Sequence, residues 1–200
     1  MVERAAVILA GGCGRRLGNV EKALIPIRDK TLIEHVIEVL DPLVDEIIVS
    51  ARDEEQAQVL EPLVGGRVVV VDGRKGVGPL AGILSGLEAA KGEYTLVTAC
   101  DMPYLNAQVV EYLFRRARGN DAAVPVGDGG VYEPLHAVYR TGSMLLETRR
   151  ALEQGERFIL APIFKMEVVE AVGMDEIREF DYGLQTFVNV NTPEDVERLE

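Results

Sequence analysis

The chain has 200 residues, 48% of them hydrophobic and 27% charged, with a formal net charge of −12. That composition supports one domain with a sizeable core, expected over residues 1–200, and it argues against a nucleic-acid binder, which carries a basic face. The apolar stretches are short and broken by charge, so no membrane span is expected, and the N-terminal apolar run has no signal-peptide cleavage pattern, which makes a cytoplasmic protein the expectation.

The first element is the apolar run Ala5 to Ala10, which lacks polar alternation and so reads as a strand buried on both faces. It runs into Leu9-Ala10-Gly11-Gly12-Cys13-Gly14-Arg15-Arg16-Leu17-Gly18, with Lys22 four residues further on. Without Cβ atoms, Gly11, Gly12, Gly14 and Gly18 let the backbone N–H groups approach a ligand closely. Guanidinium forks and a compact ammonium beside them suit phosphate oxygens. Such a turn can also simply join a strand to a helix, but in a chain this acidic the concentration of Arg15, Arg16 and Lys22 favours anion binding. The spacing is neither that of the P-loop nor Gly-x-Gly-x-x-Gly, because Leu17 stands where the third glycine belongs. Cys13 and Cys100 form no metal-ligand pattern and read as small residues in tight turns.

Ala23 to Ile27 reads as a short extended piece, and Thr31 as the cap of a helix carrying Leu32, Val36, Val39 and Leu40, closed by Asp41-Pro42. His35 on that helix is a packing residue. Glu46 to Ser50 is a second strand, Asp53 to Glu61 a helix with a solvated face, and Val68 to Val71 a third strand. Successive strand-helix units imply parallel pairing through right-handed crossovers, so the fold class is α/β. A loop opening at Asp72 leads to Gly78-Pro79-Leu80-Ala81-Gly82-Ile83-Leu84-Ser85, where Pro79 suits the first helical position.

Tyr94 to Ala99 is the next strand and delivers Cys100-Asp101-Met102-Pro103 at its carboxyl end, the edge where open α/β sheets bind ligands. Asp101 suits a turn, the cap of a helix over Leu105 to Arg118, or a hard oxygen ligand for magnesium at a nucleoside-triphosphate site. Asp121 to Val126 is a strand, Gly127 to Gly130 a turn, and Glu133 to Tyr139 an extended return; on it His136 is a packed strand residue or an acid-base group. Helices follow over Gly142 to Gln154 and Arg157 to Phe164, the second weakened by Pro162. Finally, Phe187-Val188-Asn189-Val190-Asn191 reads as a strand before a helix capped by Thr192, with Pro193 and Asp195 in its first turn. Capping does not explain two amides on an otherwise apolar strand.

These four blocks together resemble the signatures of the sugar-nucleotide-pyrophosphorylase-like nucleotidyltransferases and, among them, the molybdenum cofactor guanylyltransferases. The resemblance implies a Rossmann-like domain with a mostly parallel central sheet flanked by helices. It also implies Mg2+-dependent transfer of GMP from GTP to the phosphate of molybdopterin-bound molybdenum, with release of pyrophosphate. Arg16, Lys22 and Asp101 would be catalytic. Leu9, Ala10, Gly11, Gly12, Gly14, Arg16, Lys22, Ser50, Asp72, Gly78, Pro79, Leu80, Ala81, Gly82 and Asp101 would contact the nucleotide, and Asp101 with Asn189 the metal. Gly11-Gly12, where cytidylyltransferase relatives carry Ala-Gly, points to a guanine nucleotide. Leu17, Glu21 and Ser50 stand where methionine, aspartate and asparagine are common in the family. The stretch Pro134-Leu135-His136-Ala137-Val138-Tyr139 is similar to one that lies near the acceptor substrate in related enzymes. Partners would be GTP, a molybdopterin-type phosphate acceptor and proteins that deliver or receive the cofactor, with no nucleic acid and no membrane. A guanylyltransferase for another acceptor, such as adenosylcobinamide phosphate, and a nucleotide-binding regulatory protein without turnover are the alternatives.

Overall fold

The computed structural model describes residues 2–14, 20–73 and 77–197. Strands β1 (Arg4–Leu9), β2 (Cys13–Gly14), β3 (Val20–Glu21), β4 (Pro26–Ile27) and β5 (Lys30–Thr31) precede helix α1 (Leu32–Leu40). Then come β6 (Glu46–Ala51), α2 (Glu54–Leu60), β7 (Val68–Val71), α3 (Pro79–Ala89), β8 (Tyr94–Ala99) and α4 (Ala107–Ala117). The remainder is β9 (Ala122–Val126), β10 (His136–Arg140), α5 (Thr141–Glu153), β11 (Val169–Gly173), α6 (Met174–Arg178) and α7 (Pro193–Glu197).

The central sheet has seven strands in the order β11-β9-β10-β8-β1-β6-β7, and every pairing is parallel except those of β10, which is antiparallel to both neighbours. This is the α/β class with a mostly parallel sheet. Strand β1 lies near the centre because its residues serve two cores: Ala6 and Ile8 pack with Ile33, Val36 and Val109 on one face, while Ala5 and Val7 pack with Ile48 and Ala89 on the other. The chain leaves β7 at one edge, crosses through α3 and enters β8 on the far side of β1. That reversal opens a crevice above the carboxyl ends of β1 and β8. Leu9 pairs with Ser50 on one side and Ala99 on the other, so these strand ends finish level with one another.

Local chemistry sets the helix starts. Thr31 and Glu34 form a capping box on α1, and Asp53 accepts from the Gln56 N–H on α2. Asn106 caps α4 by accepting from the Gln108 and Val109 N–H groups, which removes capping as a role for Asp101.

Three expectations are corrected. The extended piece expected over Ala23 to Ile27 begins as a 3-10 turn, Lys22–Leu24, and only Pro26–Ile27 forms a strand. Arg157 to Phe164 is not a helix: it is a run of turns ending in a 3-10 turn over Ile163–Lys165, and Ile159, Leu160 and Ile163 still reach the core. No strand forms over Phe187 to Asn191: the Val190 N–H donates to the Asp101 carbonyl, 2.9 Å away, but this bond is not part of a ladder.

Helix α3 approaches the sheet closely through glycine. A Cβ on Gly86 would overlap both methyl carbons of Val7, which a central strand holds in place. Gly86→Ala should therefore destabilise the chain by about 2 kcal/mol, the overlap outweighing the better helix propensity of alanine. Urea unfolding should show a lower midpoint at unchanged slope.

Candidate active site

A cavity of about 750 Å³ lies over the carboxyl edge of the sheet. Leu9 enters it at the end of β1 with Gly11 and Gly12 just beyond, Ser50 and Arg52 at the end of β6, and Asp72 after β7. Gly78, Pro79 and Gly82 reach it from the start of α3, and Ala99 to Met102 from the end of β8. Glu133, Pro134 and Leu135 line it just before β10, joined by Ile159, Asn189 and Asn191.

Lys22 sits at the junction. Its Nζ donates to Asp101 Oδ2 at 2.7 Å and to Asn191 Oδ1 at 2.6 Å. The lysine and aspartate side chains are only 11% and 17% exposed, so the pair is held in a partly desolvated setting where its charges act strongly. The C-terminal segment is docked by Val190, which is buried in a small core with Ile25, Ile27 and Leu32. Asn189 and Asn191 flank it and both line the cavity. That arrangement accounts for two amides in an apolar stretch.

A further set of residues fixes the glycine loop from behind. Buried Gln56 donates to the Ala10 carbonyl at 2.9 Å and to the Glu21 carboxylate, and it accepts from the Arg52 N–H. Arg52 bridges Glu21 at 2.6 Å and Asp53 at 2.9 Å. The loop's ends are thereby tied, and β2 pairs with β3 between them. On the opposite wall, the buried Tyr139 hydroxyl donates to the Pro134 carbonyl at 2.8 Å, and burial pushes its phenol pKa up.

Lys22, Asp101, Ser50, Asp72, Asn189, Leu9, Gly11, Gly12, Gly78, Pro79 and Gly82 all come together in the cavity. Ala10 contributes backbone only, its N–H to Ser50 and its carbonyl to Gln56. Gly14 lies in β2, while Leu80 and Ala81 are buried and line none of the cavity. Arg16, with Arg15 and Gly18, lies outside the described residues. Gly82 has a packing reason as well, since a Cβ there would lie 2.9 Å from Ser50 Oγ. Cys100 is buried, and burial followed by the nearby Asp101 charge raises its thiol pKa, which suits a packing residue and not a nucleophile. Sequence reasoning gave no site role to Arg52, Gln56 or Glu133. The polar Arg52 directly after an apolar strand was the available signal.

A switch-point crevice holding a glycine-rich loop, a lysine and an aspartate at the carboxyl edge of a mostly parallel sheet defines an α/β nucleotide-binding enzyme. Residues 6–169 match the profile of the MobA-like NTP transferase domain. A probable molybdenum cofactor guanylyltransferase of Methanosarcina mazei is 45% identical over 98% of this chain and 89% of its own length. The crystal structure of molybdopterin-guanine dinucleotide biosynthesis protein A from Archaeoglobus fulgidus superposes with a TM-score of 0.83 at 36% identity, covering 98% of this chain and 96% of that one. The 2-C-methyl-D-erythritol 4-phosphate cytidylyltransferase of Thermus thermophilus, at 21% identity and a TM-score of 0.71 over 99% and 97% of the two chains, shares the fold. The chain belongs to the MobA-like NTP transferase family and is a nucleotidyltransferase. Among the described residues, no helix is long and apolar enough to cross a membrane.

His136 is fully buried on β10, lines none of the cavity, and packs edge-on against Phe187 with Nε2 3.1 Å from Thr186 Oγ1. Burial pushes its pKa from 6.5 down to about 4, against a smaller opposing effect of Asp181. It is a neutral packing residue at neutral pH, as the first of the two sequence readings has it. Because its folded pKa is depressed, the unfolded chain takes up the proton first. The stability due to the neutral ring is complete above about pH 6.5 and is lost as pH falls towards 4, a loss on the order of a few kcal/mol. Urea unfolding at pH 7 and pH 4.5 should show a smaller pH-dependent loss in His136→Leu than in the parent chain.

Proposed function

We propose that the whole chain, residues 1–200, acts as one cytoplasmic Mg2+-dependent guanylyltransferase. It transfers GMP from GTP to the phosphate of molybdopterin-bound molybdenum and releases pyrophosphate. The observation that carries this reading is Lys22, fixed between Asp101 and Asn191 and facing the Gly11-Gly12 backbone in one cavity. The names of the Methanosarcina and Archaeoglobus relatives supply the guanine nucleotide and the molybdopterin acceptor.

In this reaction an acceptor phosphate oxygen forms a bond to the α-phosphorus while the bond to the β-phosphate oxygen breaks. The acceptor is already an anion, so no strong general base is needed. Positioning and charge neutralisation carry the catalysis. The Gly11 and Gly12 N–H groups and Lys22 hold the phosphates, with Arg16 assigned the same task. Ser50, Asp72, Gly78 and Pro79 take the nucleoside end.

The residues fit a hard divalent cation. Of the described lining side chains, Asp72, Asp101 and Glu133 are acidic, and Asp101 is the one that lies beside Lys22. Asp101 Oδ2 is engaged by Lys22, and Oδ1 has no hydrogen-bond partner among the described residues. Asp101, with the Asn189 amide oxygen in the same cavity, would hold magnesium, which takes few protein oxygens and completes its shell with phosphate and water. When bound, the ion offsets charge on the phosphates as pyrophosphate leaves.

Pyrophosphate release tests the reading directly. It should require GTP, molybdenum-loaded molybdopterin and magnesium, should stop with EDTA, and should be minor with CTP or with adenosylcobinamide phosphate; equal rates with CTP would exclude the guanine assignment. Lys22→Ala should lower kcat on the order of a hundredfold or more while KM for GTP changes much less, because the charge it meets grows in the transition state. Asp101→Asn should lose nearly all transfer, with partial recovery in manganese. Its thermal midpoint should fall by only a few degrees, since the amide oxygen can still accept from Lys22.

A further inference from the structure

Glu133 is the lining carboxylate that the proposed phosphate chemistry leaves without a task. Its side chain is half-buried, and among the described residues no cation or hydrogen-bond donor meets it. Its neighbours on that wall, Pro134, Leu135 and Ile159, are apolar. Desolvation accordingly raises its carboxyl pKa. The backbone that carries it is rigid: the Glu133 N–H donates to the Pro125 carbonyl at 2.9 Å, its carbonyl accepts from His136 at 3.2 Å, and Tyr139 fixes the next carbonyl at 2.8 Å.

Position decides which substrate this carboxylate meets. Strand β10 neighbours β8 with His136 opposite Thr98, so the chain just before β10 passes the Asp101 end of the sheet on the side away from β7. Asp72 follows β7, four strands from β10, about 19 Å across the sheet at ordinary strand spacing. A nucleotide with its α-phosphate at Lys22 and Asp101 extends its base to one side only, and Ser50 and Asp72 stand on the β6-β7 side. The other side, where Glu133 stands, is left for the acceptor.

A half-buried carboxylate opposes a polyanionic ligand, and neutral N–H donors presented by that ligand offset the cost. A fused 2-amino-4-oxo pyrimidine ring, the pterin head, does so: its ring N–H and exocyclic amino group lie side by side on one edge and match the two oxygens of a carboxylate. Aromatic rings lie along the chain beside two of the wall residues, Tyr132 next to Glu133 and Phe158 next to Ile159. The Tyr132 ring meets Phe164 edge-on at 5.8 Å, and Phe164 lies 6.5 Å from Phe158, with both phenylalanines more than half exposed.

Resting on the guanylyl-transfer reading, we propose that Glu133 determines acceptor specificity by accepting a pair of N–H donors from the 2-amino-4-oxo edge of a pterin ring. Glu133→Gln puts a donor where the site needs an acceptor, and it breaks no contact within the described fold. In the transfer assay it should raise KM for molybdenum-molybdopterin about tenfold or more, with KM for GTP and kcat within about twofold. Glu133→Asp should fall between. Independently of turnover, fluorescence titration should show that the parent chain binds 6-hydroxymethylpterin more tightly than lumazine, in which oxygen replaces the 2-amino group, and that Glu133→Gln abolishes this preference. No preference in the parent, or the same preference in the variant, overturns the assignment, as does an unchanged acceptor KM in an active variant. A preference that Glu133→Gln abolishes, in a parent chain that transfers no GMP, would uphold the role of Glu133 and remove the transfer reading.

Discussion

The site depends on a single ammonium group held by two distant parts of the chain. Lys22 donates to Asp101, 79 residues away, and to Asn191, 169 residues away, and so joins the first loop, the end of β8 and the C-terminal segment. An ion pair this far from solvent gives little net stability, because desolvation offsets most of the Coulomb gain. Its value lies in position. The ammonium is already held by two acceptors, so in the proposed reaction the ordering of a long, flexible side chain would not reduce binding or rate.

The sheet makes that meeting possible. In an all-parallel sheet only the carboxyl ends of strands face the crevice. Reversing β10 brings the residues just before it, Glu133 to Leu135, to the same edge, directly beside Asp101. A nucleotidyltransferase must bring two substrates together at one phosphorus, and both halves of this sheet contribute to the one cavity. The β1-β6-β7 half presents the glycine loop, Ser50 and Asp72, whereas the β8-β10 half presents Asp101 and Glu133.

The sequence revealed most where chemistry is local. An apolar run without alternation identified β1, and Val68 to Val71 and Tyr94 to Ala99 match their strands residue for residue. Thr31 marked the start of α1, and the structure adds Glu34 as its capping-box partner. Lys22, Asp101 and Asn189 stood out without a fold to explain them, and the structure brings all three to one cavity. The misreadings arose where a local pattern has a tertiary cause. Ile159, Leu160 and Ile163 recur at helical spacing because they fill the core beneath α5 along a chain of turns. The alternation around Val190 imitates a strand because one valine is buried while the amides beside it face the cavity. Strand β11 was not anticipated. It is held to β9 by a parallel ladder and by Asp121 accepting from the Glu167 and Val168 N–H groups, contacts across more than forty residues that no window of sequence contains.

The glycine loop faces two opposing requirements. Its glycines allow the backbone to approach phosphates, yet each has more conformational freedom to lose than any other residue. If that freedom were lost on binding, affinity and rate would both fall. Gln56 and Arg52 remove part of it during folding instead. Gln56 fixes the carbonyl of Ala10 where the loop leaves β1, and together with Arg52 it holds Glu21 where the loop returns. A shorter aspartate at position 21 would end one methylene earlier and require its partners to move closer. The glutamate therefore forms one geometric unit with Arg52 and Gln56, and a substitution at any of the three should disturb the placement of the Gly11 and Gly12 N–H groups without touching a substrate.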